Sequence, residues 1–153
     1  RWHPTQGVYK LHNGVDIGGN SEGTPVYSIA NGMVGKVLKR QSCGGNMVYI
    51  YHTVNGVQYT STYMHLYRID VKVGDMVQST TQIGTVGGYS TSTSHGGYDT
   101  CTTGAHLHLS LAKGWYGKTY QSYSTWIANL LDPGQSKYVN IPGYGVYFYS
   151  RTW

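Results

Sequence analysis

The chain of 153 residues has the length of one ordinary domain, so a second full core is not expected. Only 11% of residues are charged and Glu22 is the single glutamate, which excludes long solvated helices built on Glu and Lys. An aromatic content of 14% excludes disorder, and 22 Gly with 16 Tyr favour short strands joined by Gly-rich turns, so the expected fold is mainly β.

The formal charge is +5 with His neutral. Its cations are scattered, with Lys36, Lys39 and Arg40 the densest group, and no nucleic-acid-binding pattern accompanies them. Nucleic acid is therefore excluded as a partner, and a general solvating role or attraction to an anionic polymer such as a bacterial wall remains. No apolar run approaches the roughly 20 residues that span a bilayer, so membrane insertion is not expected. No signal peptide is recognised, and a start at Arg1 rather than Met is what a processed or excised domain would show.

In chain order, residues 1–19 form loop and short strand, rich in His, Gly and aromatic residues. Val26 to Ala30 is a strand pattern closed by the turn Asn31-Gly32, and Val34 to Leu38 alternates as a half-buried strand does. Residues 41–46 are a Gly-rich loop carrying Cys43. Met47 to His52 and Val57 to Met64 flank Asn55-Gly56, a strong hairpin signal. Val73 to Val77 and Gln82 to Val86 are two further short strands. Residues 87–104 form a long polar loop holding His95 and Cys101, and loops beyond roughly 12–15 residues are usually functional or disordered. The cleanest alternation follows at Ala105 to Leu111, with leucines on one face and histidines on the other. A short helix is expected over 123–131, stopped by Asp132-Pro133-Gly134, and the last twenty residues are expected to pack back on the sheet.

Two of the seven histidines, His106 and His108, stand at i and i+2 of that strand and share a face. His12 and Asp16 stand four apart in a segment too rich in Gly for a helix. On a straight strand they would lie roughly 13 Å apart, so sharing an ion requires a bend near Gly14. Zinc takes nitrogen ligands, tolerates a carboxylate, and in catalytic sites leaves one position open. His12, Asp16 and one member of the 106/108 pair make such a set, and His65 falls at a strand end. His3 and His52 read as structural and His95 as an exposed loop residue. Cys43 and Cys101 have no CxxC spacing, which argues against a Cys zinc site and leaves a disulfide or two buried thiols.

Many short segments, in order, now resemble one family. They include Arg1-Trp2-His3-Pro4, His12-Asn13-Gly14-Val15-Asp16, Gly23-Thr24-Pro25-Val26 and Asn31-Gly32-Met33-Val34. Gly45 to His52, Tyr63-Met64-His65-Leu66, Val73 to Val77, Ile83-Gly84 and Gly104-Ala105-His106-Leu107-His108 complete the series. The chain resembles the lysostaphin-like, LytM-type zinc endopeptidases that cut peptidoglycan peptides. The resemblance implies a single antiparallel β-sheet with a groove formed by the surrounding loops, and at most one or two short helices. It implies one zinc ion held by His12, Asp16 and His108, with His65 and His106 catalytic and their division of labour open. It further implies an enzyme core at 1–114 with an extension at 115–153, a peptidoglycan substrate, a monomer and an extracytoplasmic setting. The opening Arg1-Trp2-His3-Pro4 is more like the cross-link-cutting branch than the glycyl-glycine branch.

Glu22 does not belong to an HExxH motif, so proton transfer falls to imidazole. Two departures stand out. A tyrosine that some relatives place six residues before the first zinc histidine is Gln6 here, and residues 88–103 are longer than the family's usual link. A domain that has lost catalysis but binds the wall or regulates a partner hydrolase is the competing expectation, and a Tyr-rich wall-binding module with structural zinc is a third. The presence of all five site residues favours the enzyme. On the family-like sheet, loops carrying Cys43 and Cys101 rise together as groove walls, where a bridge would hold them before substrate arrives.

Overall fold

A computed structural model describes residues 2–3, 8–9, 15–119 and 122–131. Two short strands, β1 (Trp2–His3) and β2 (Val8–Tyr9), form a ribbon of their own. Among the described residues the main sheet has nine strands, all antiparallel. They are β3 (Val15–Ile17), β4 (Pro25–Tyr27), β5 (Gly32–Gln41), β6 (Gly45–Val54), β7 (Val57–Ile69), β8 (Met76–Val77), β9 (Gln82–Val86), β10 (Leu107–Lys113) and β11 (Leu130–Leu131). The spine runs β11-β10-β7-β6-β5-β8, with β3 on β10 and with β9 joining β7 to β4.

The β6–β7 hairpin turns where the sequence places it. Asn55 and Gly56 both have positive φ, 51° and 77°, the geometry of a two-residue turn that matches strand twist. The two long strands then carry opposite faces to opposite fates. One face holds the core, with Val34, Val48, Ile50, Tyr63, Leu66, Ile83 and Leu109 buried together. Full burial of each such aliphatic side chain is worth roughly 1.5–3 kcal/mol. The other face pairs Tyr49 with Thr62 and Thr62 with Ser110.

Aromatic residues cover one end of that second face. Trp115 stacks on Tyr51 with ring centres 5.1 Å apart, and Tyr116 stacks on Tyr49 at 5.3 Å. The helix α1 (Tyr123–Ile127) places Trp126, fully buried, against both Tyr49 and Tyr116. Ser122 caps this helix by accepting from the Thr125 N–H. The expected helix over 123–131 stops at Ile127, because Leu130 and Leu131 instead pair with Ala112 and Leu111. β3 reaches only the first part of β10, Leu107 to Leu109, and β11 fills the edge left open beyond it. The expected strand at 26–30 is also shorter, ending at Tyr27, while β5 and β7 run longer than their sequence patterns. The last twenty residues lie outside the described part.

A buried relay of hydrogen bonds crosses the core face. Ile29 N–H donates to the Tyr63 hydroxyl at 2.9 Å, and Tyr63 lies 2.9 Å from Ser61 Oγ. Ser61 Oγ is 2.7 Å from His52 Nε2, and His52 Nδ1 is 2.7 Å from the Asn31 carbonyl. A carbonyl only accepts, so Nδ1 carries the proton and Nε2 accepts from Ser61. His52 thus has the structural role its sequence context indicates. Burial lowers its pKa from 6.5 to about 4, against the opposing pull of the Asn31 carbonyl.

The unfolded chain charges this ring near 6.5, whereas the folded chain keeps it neutral until about pH 4. Stability is therefore complete above the unfolded value and declines as pH falls between the two. The loss from this one ring reaches roughly 3 kcal/mol. Urea unfolding from pH 7.5 to 4 should show the decline, while ring NMR signals of His52 stay in their neutral position down to about pH 4. A His52 titration near 6.5 would disprove the closed relay.

Candidate active site

The other end of the second face carries the histidines. β10 is paired on both sides at its start, so His108 lies opposite Asp16 of β3 and opposite Met64 of β7. Cross-strand partners share a face, which brings the Asp16 and His108 side chains together. Asp16 Oδ1 is 3.0 Å from His108 Nδ1 and 3.8 Å from His106 Nε2. The His106 side chain retains 21% exposure and that of Asp16 30%, so this group faces a partly open space.

His106 precedes β10 in an isolated bridge to Gly87. Its Nδ1–H donates to the Gly104 carbonyl at 2.9 Å, leaving Nε2 without the proton. Burial lowers the His106 pKa, with the Gly104 bond opposing it. Burial likewise lowers that of His108, and the hydrogen bond and charge of Asp16 oppose it. Both rings are neutral at neutral pH. A neutral imidazole keeps the lone pair that a metal ligand or a proton acceptor needs.

His65 enters from β7 by a local irregularity. Asn46 pairs with Leu66 and Val48 with Tyr63, so Met64 and His65 together oppose Met47 alone. Such a bulge re-aims a side chain. His65 has φ of +63°, in the left-handed region that β-carbon-bearing residues rarely occupy. Its N–H donates to the Gly44 carbonyl at 2.7 Å. On the opposite side the chain at Gly87 comes so close that a β-carbon would lie 2.4 Å from the His65 carbonyl oxygen. The His65 ring centre is 4.7 Å from that of His106 and 6.0 Å from that of His108.

Behind His65 lies Asp99, a residue the sequence reading did not select. His65 Nδ1 donates to Asp99 Oδ2 at 2.5 Å. The other oxygen, Oδ1, accepts from Cys101 N–H at 2.9 Å and from Gly44 N–H at 3.2 Å. The Asp99 side chain is fully buried and that of His65 is 4% exposed. Burial raises the Asp99 pKa, but the hydrogen bond with His65 and the two backbone donors outweigh it and hold the carboxyl below its ordinary range. A signal was available in hindsight. Asp99 is one of only six acidic residues, placed two before a cysteine in the long polar loop.

Cys43 and Cys101 form a disulfide with Cα atoms 5.0 Å apart. It joins the turn before β6 to the long loop, as the cysteine count and loop placement led one to expect. The same loop contains a short 3-10 turn at Thr93–His95, with the exposed His95 ring stacked on Tyr89. Of the five residues singled out in the sequence, Asp16, His65, His106 and His108 converge. His12 lies outside the described residues. Among the described residues, no three His, Cys, Asp or Glu side chains form a metal-binding group. The Asp16–His108 oxygen–nitrogen pair nevertheless has the donor chemistry that zinc accepts.

The protein is thus a β domain whose antiparallel sheet brings Asp16 and three histidines together at one end. Residues 10–122 match Peptidase family M23, and the chain belongs to that family. It is 37% identical over 108 residues to peptidoglycan DD-endopeptidase ShyC of Vibrio cholerae serotype O1, covering 71% of this chain and 22% of that protein. The chain thus spans about a fifth of the length of the curated relatives it matches. Among solved structures, the lysostaphin catalytic domain from Staphylococcus simulans superposes with a TM-score of 0.55 at 31% identity, covering 77% of this chain and 80% of that one. A zinc-containing peptidase from Vibrio cholerae gives 0.57 at 33% identity, covering 74% and 30%.

The disulfide closes 58 residues, for which chain entropy allows roughly 4 kcal/mol. A double Cys43→Ser, Cys101→Ser variant should lose up to about that amount in denaturant unfolding. An unchanged unfolding midpoint would show that these loops are held by their hydrogen bonds alone.

Proposed function

We propose that this chain is a zinc-dependent endopeptidase that hydrolyses peptide bonds in bacterial peptidoglycan, acting as a monomer outside the cytoplasm. The observation that carries the reading is the meeting of Asp16 and His108 beside two further rings, His65 and His106, at one end of the sheet. His12, Asp16 and His108 would hold the ion. Bound there, zinc supplies Lewis-acid polarisation of a carbonyl and acidification of water.

The chain's own residues account for the proton traffic. Hydrolysis adds water across the C–N bond, and one proton must pass from that water to the leaving amine. His106 has its Nδ1 proton committed to Gly104, and His65 has its own committed to Asp99. Each ring therefore offers a bare Nε2 as acceptor, and a ring so protonated becomes the donor for the amine. The aromatic cluster of Tyr49, Tyr116 and Trp126 closes the other end of the same face. A substrate strand is thereby confined to the histidine end.

We assign residues 1–114 to the catalytic core and 115–153 to an extension of it. The stacking of Trp115 and Tyr116 on β6 supports packing of the start of this extension on the core. The disulfide supports the extracytoplasmic setting, since such bonds persist where the surroundings are oxidising. The similarity to a DD-endopeptidase, together with the Arg1-Trp2-His3-Pro4 opening, favours peptide cross-links over glycine bridges.

Mass spectrometry of digests of defined peptidoglycans tests the function. The chain should release cross-linked stem peptides, and chelation should stop the release. His65→Ala and His106→Ala should each lower kcat by roughly 10²–10⁴-fold while zinc content stays at one ion per chain. Asp16→Ala and His108→Ala should instead lose the zinc. Near-normal turnover in either of the first two variants would remove that histidine from the mechanism, and a chain inactive on every substrate would return the wall-binding alternative.

A further inference from the structure

His65 differs from the other two histidines of the site in what stands behind it. His106 rests on a backbone carbonyl and His108 faces the half-open Asp16, whereas His65 rests on a carboxylate sealed from solvent. That carboxylate is also the most constrained group in the neighbourhood. One oxygen takes the His65 proton donor, and the other takes two backbone N–H groups, from Gly44 and Cys101. One donor follows a half-cystine, Gly44 after Cys43, and the other belongs to the half-cystine Cys101 itself. The Gly44 peptide thus both holds the carboxylate, through its N–H, and holds the His65 backbone, through its carbonyl. Gly45 keeps the way clear, since a β-carbon there would lie 2.8 Å from Asp99 Oδ2.

We propose that Asp99 is the positioning residue for His65, and that the Cys43–Cys101 bridge exists at this point of the fold to hold Asp99 in that role. Asp99 fixes the ring in one tautomer, with the proton on Nδ1 and Nε2 bare toward the reaction site. A buried carboxylate is acceptor-only, so it admits no other arrangement. The same contact steadies the imidazolium that forms when Nε2 takes a proton, which singles out His65 as the ring that carries the charge. The assignment of that reaction rests on the peptidase reading above, while the tautomer does not.

Asp99→Asn separates this role from a packing role. Two backbone N–H groups demand an acceptor on one side, so the amide oxygen turns to Gly44 and Cys101 and the NH₂ turns to His65. Nδ1 must then accept, and the proton moves to Nε2. Long-range ¹H–¹⁵N spectra of histidine-labelled protein read this directly. The expected result is an Nδ1–H tautomer for His65 in the parent chain and an Nε2–H tautomer in Asp99→Asn. On defined muropeptides the variant should lose roughly 10²–10⁴-fold in kcat, with KM and zinc content unchanged.

The Cys43→Ser, Cys101→Ser variant keeps Asp99 but frees both loops, and serves if Asp99→Asn does not fold. It should show mixed His65 tautomers and a kcat lowered more than KM is raised. An Nε2–H tautomer in the parent chain, or wild-type kcat in a variant whose tautomer has changed, would overturn the proposal. If the parent chain proves inactive on every peptidoglycan, the tautomer spectra still decide the Asp99–His65 assignment, and only the peptidase reading falls.

Discussion

Strand β10 is held between β3 and β7 in a register that cannot slip by one residue without exchanging its faces. Leu109 and Leu111 are buried on the core side, and His108 points to the other, opposite both Asp16 and Met64. A one-residue shift would turn the leucines toward the site and drive imidazoles into the core. The hydrophobic effect therefore sets the site geometry indirectly. Several kilocalories of leucine burial enforce an alignment in which the Asp16–His108 pair needs to contribute almost nothing to stability. A functional pair placed this way does not have to stabilise the fold as well.

Charge is scarce in this protein, and where it is spent is informative. Asp70 pairs with Arg68 and Asp75 with Lys72 at the surface, where such pairs are worth about 0–1 kcal/mol. Asp16 and Asp99 lie among the histidines instead. A net charge of +5 thus coexists with a locally anionic patch of site residues. The two carboxylates have different solvent access, and that difference divides their chemistry. Asp16 is partly open to solvent, whereas Asp99 is sealed behind the His65 ring.

Sequence patterns revealed the hairpin at Asn55-Gly56 and the faces of β10, with His106 and His108 together on one of them. Those features follow from turn chemistry and two-residue alternation, which are local, whereas Asp16 and His65 were assigned to the site by the family resemblance. Asp99 was hidden because its meaning arises from contacts at sequence separations of 34 and 55 residues, through groups of ordinary type. β11 was misread as the end of a helix for a similar reason. Leu130-Leu131 has no local strand signal, and its conformation answers the open edge of Leu111-Ala112. The bulge at His65 was equally invisible, since Met64-His65-Leu66 has neither glycine nor proline to announce it.

That bulge explains why a disulfide is placed here rather than elsewhere. A non-glycine residue held in the left-handed region costs on the order of 1–3 kcal/mol, and the ring must still point one way. The Gly44 carbonyl and the Asp99 carboxylate accept from His65 and oppose relaxation, but both acceptors sit outside the strands, in a turn and a long loop. A cross-link closing 58 residues withdraws roughly 4 kcal/mol of chain entropy from the unfolded state, enough to offset the strain at His65. The bridge and the strained residue are therefore parts of one device. The long loop lends Asp99 to the site, the turn before β6 lends Gly44, and the sulfur–sulfur bond keeps the two together behind a ring that β7 alone would not aim.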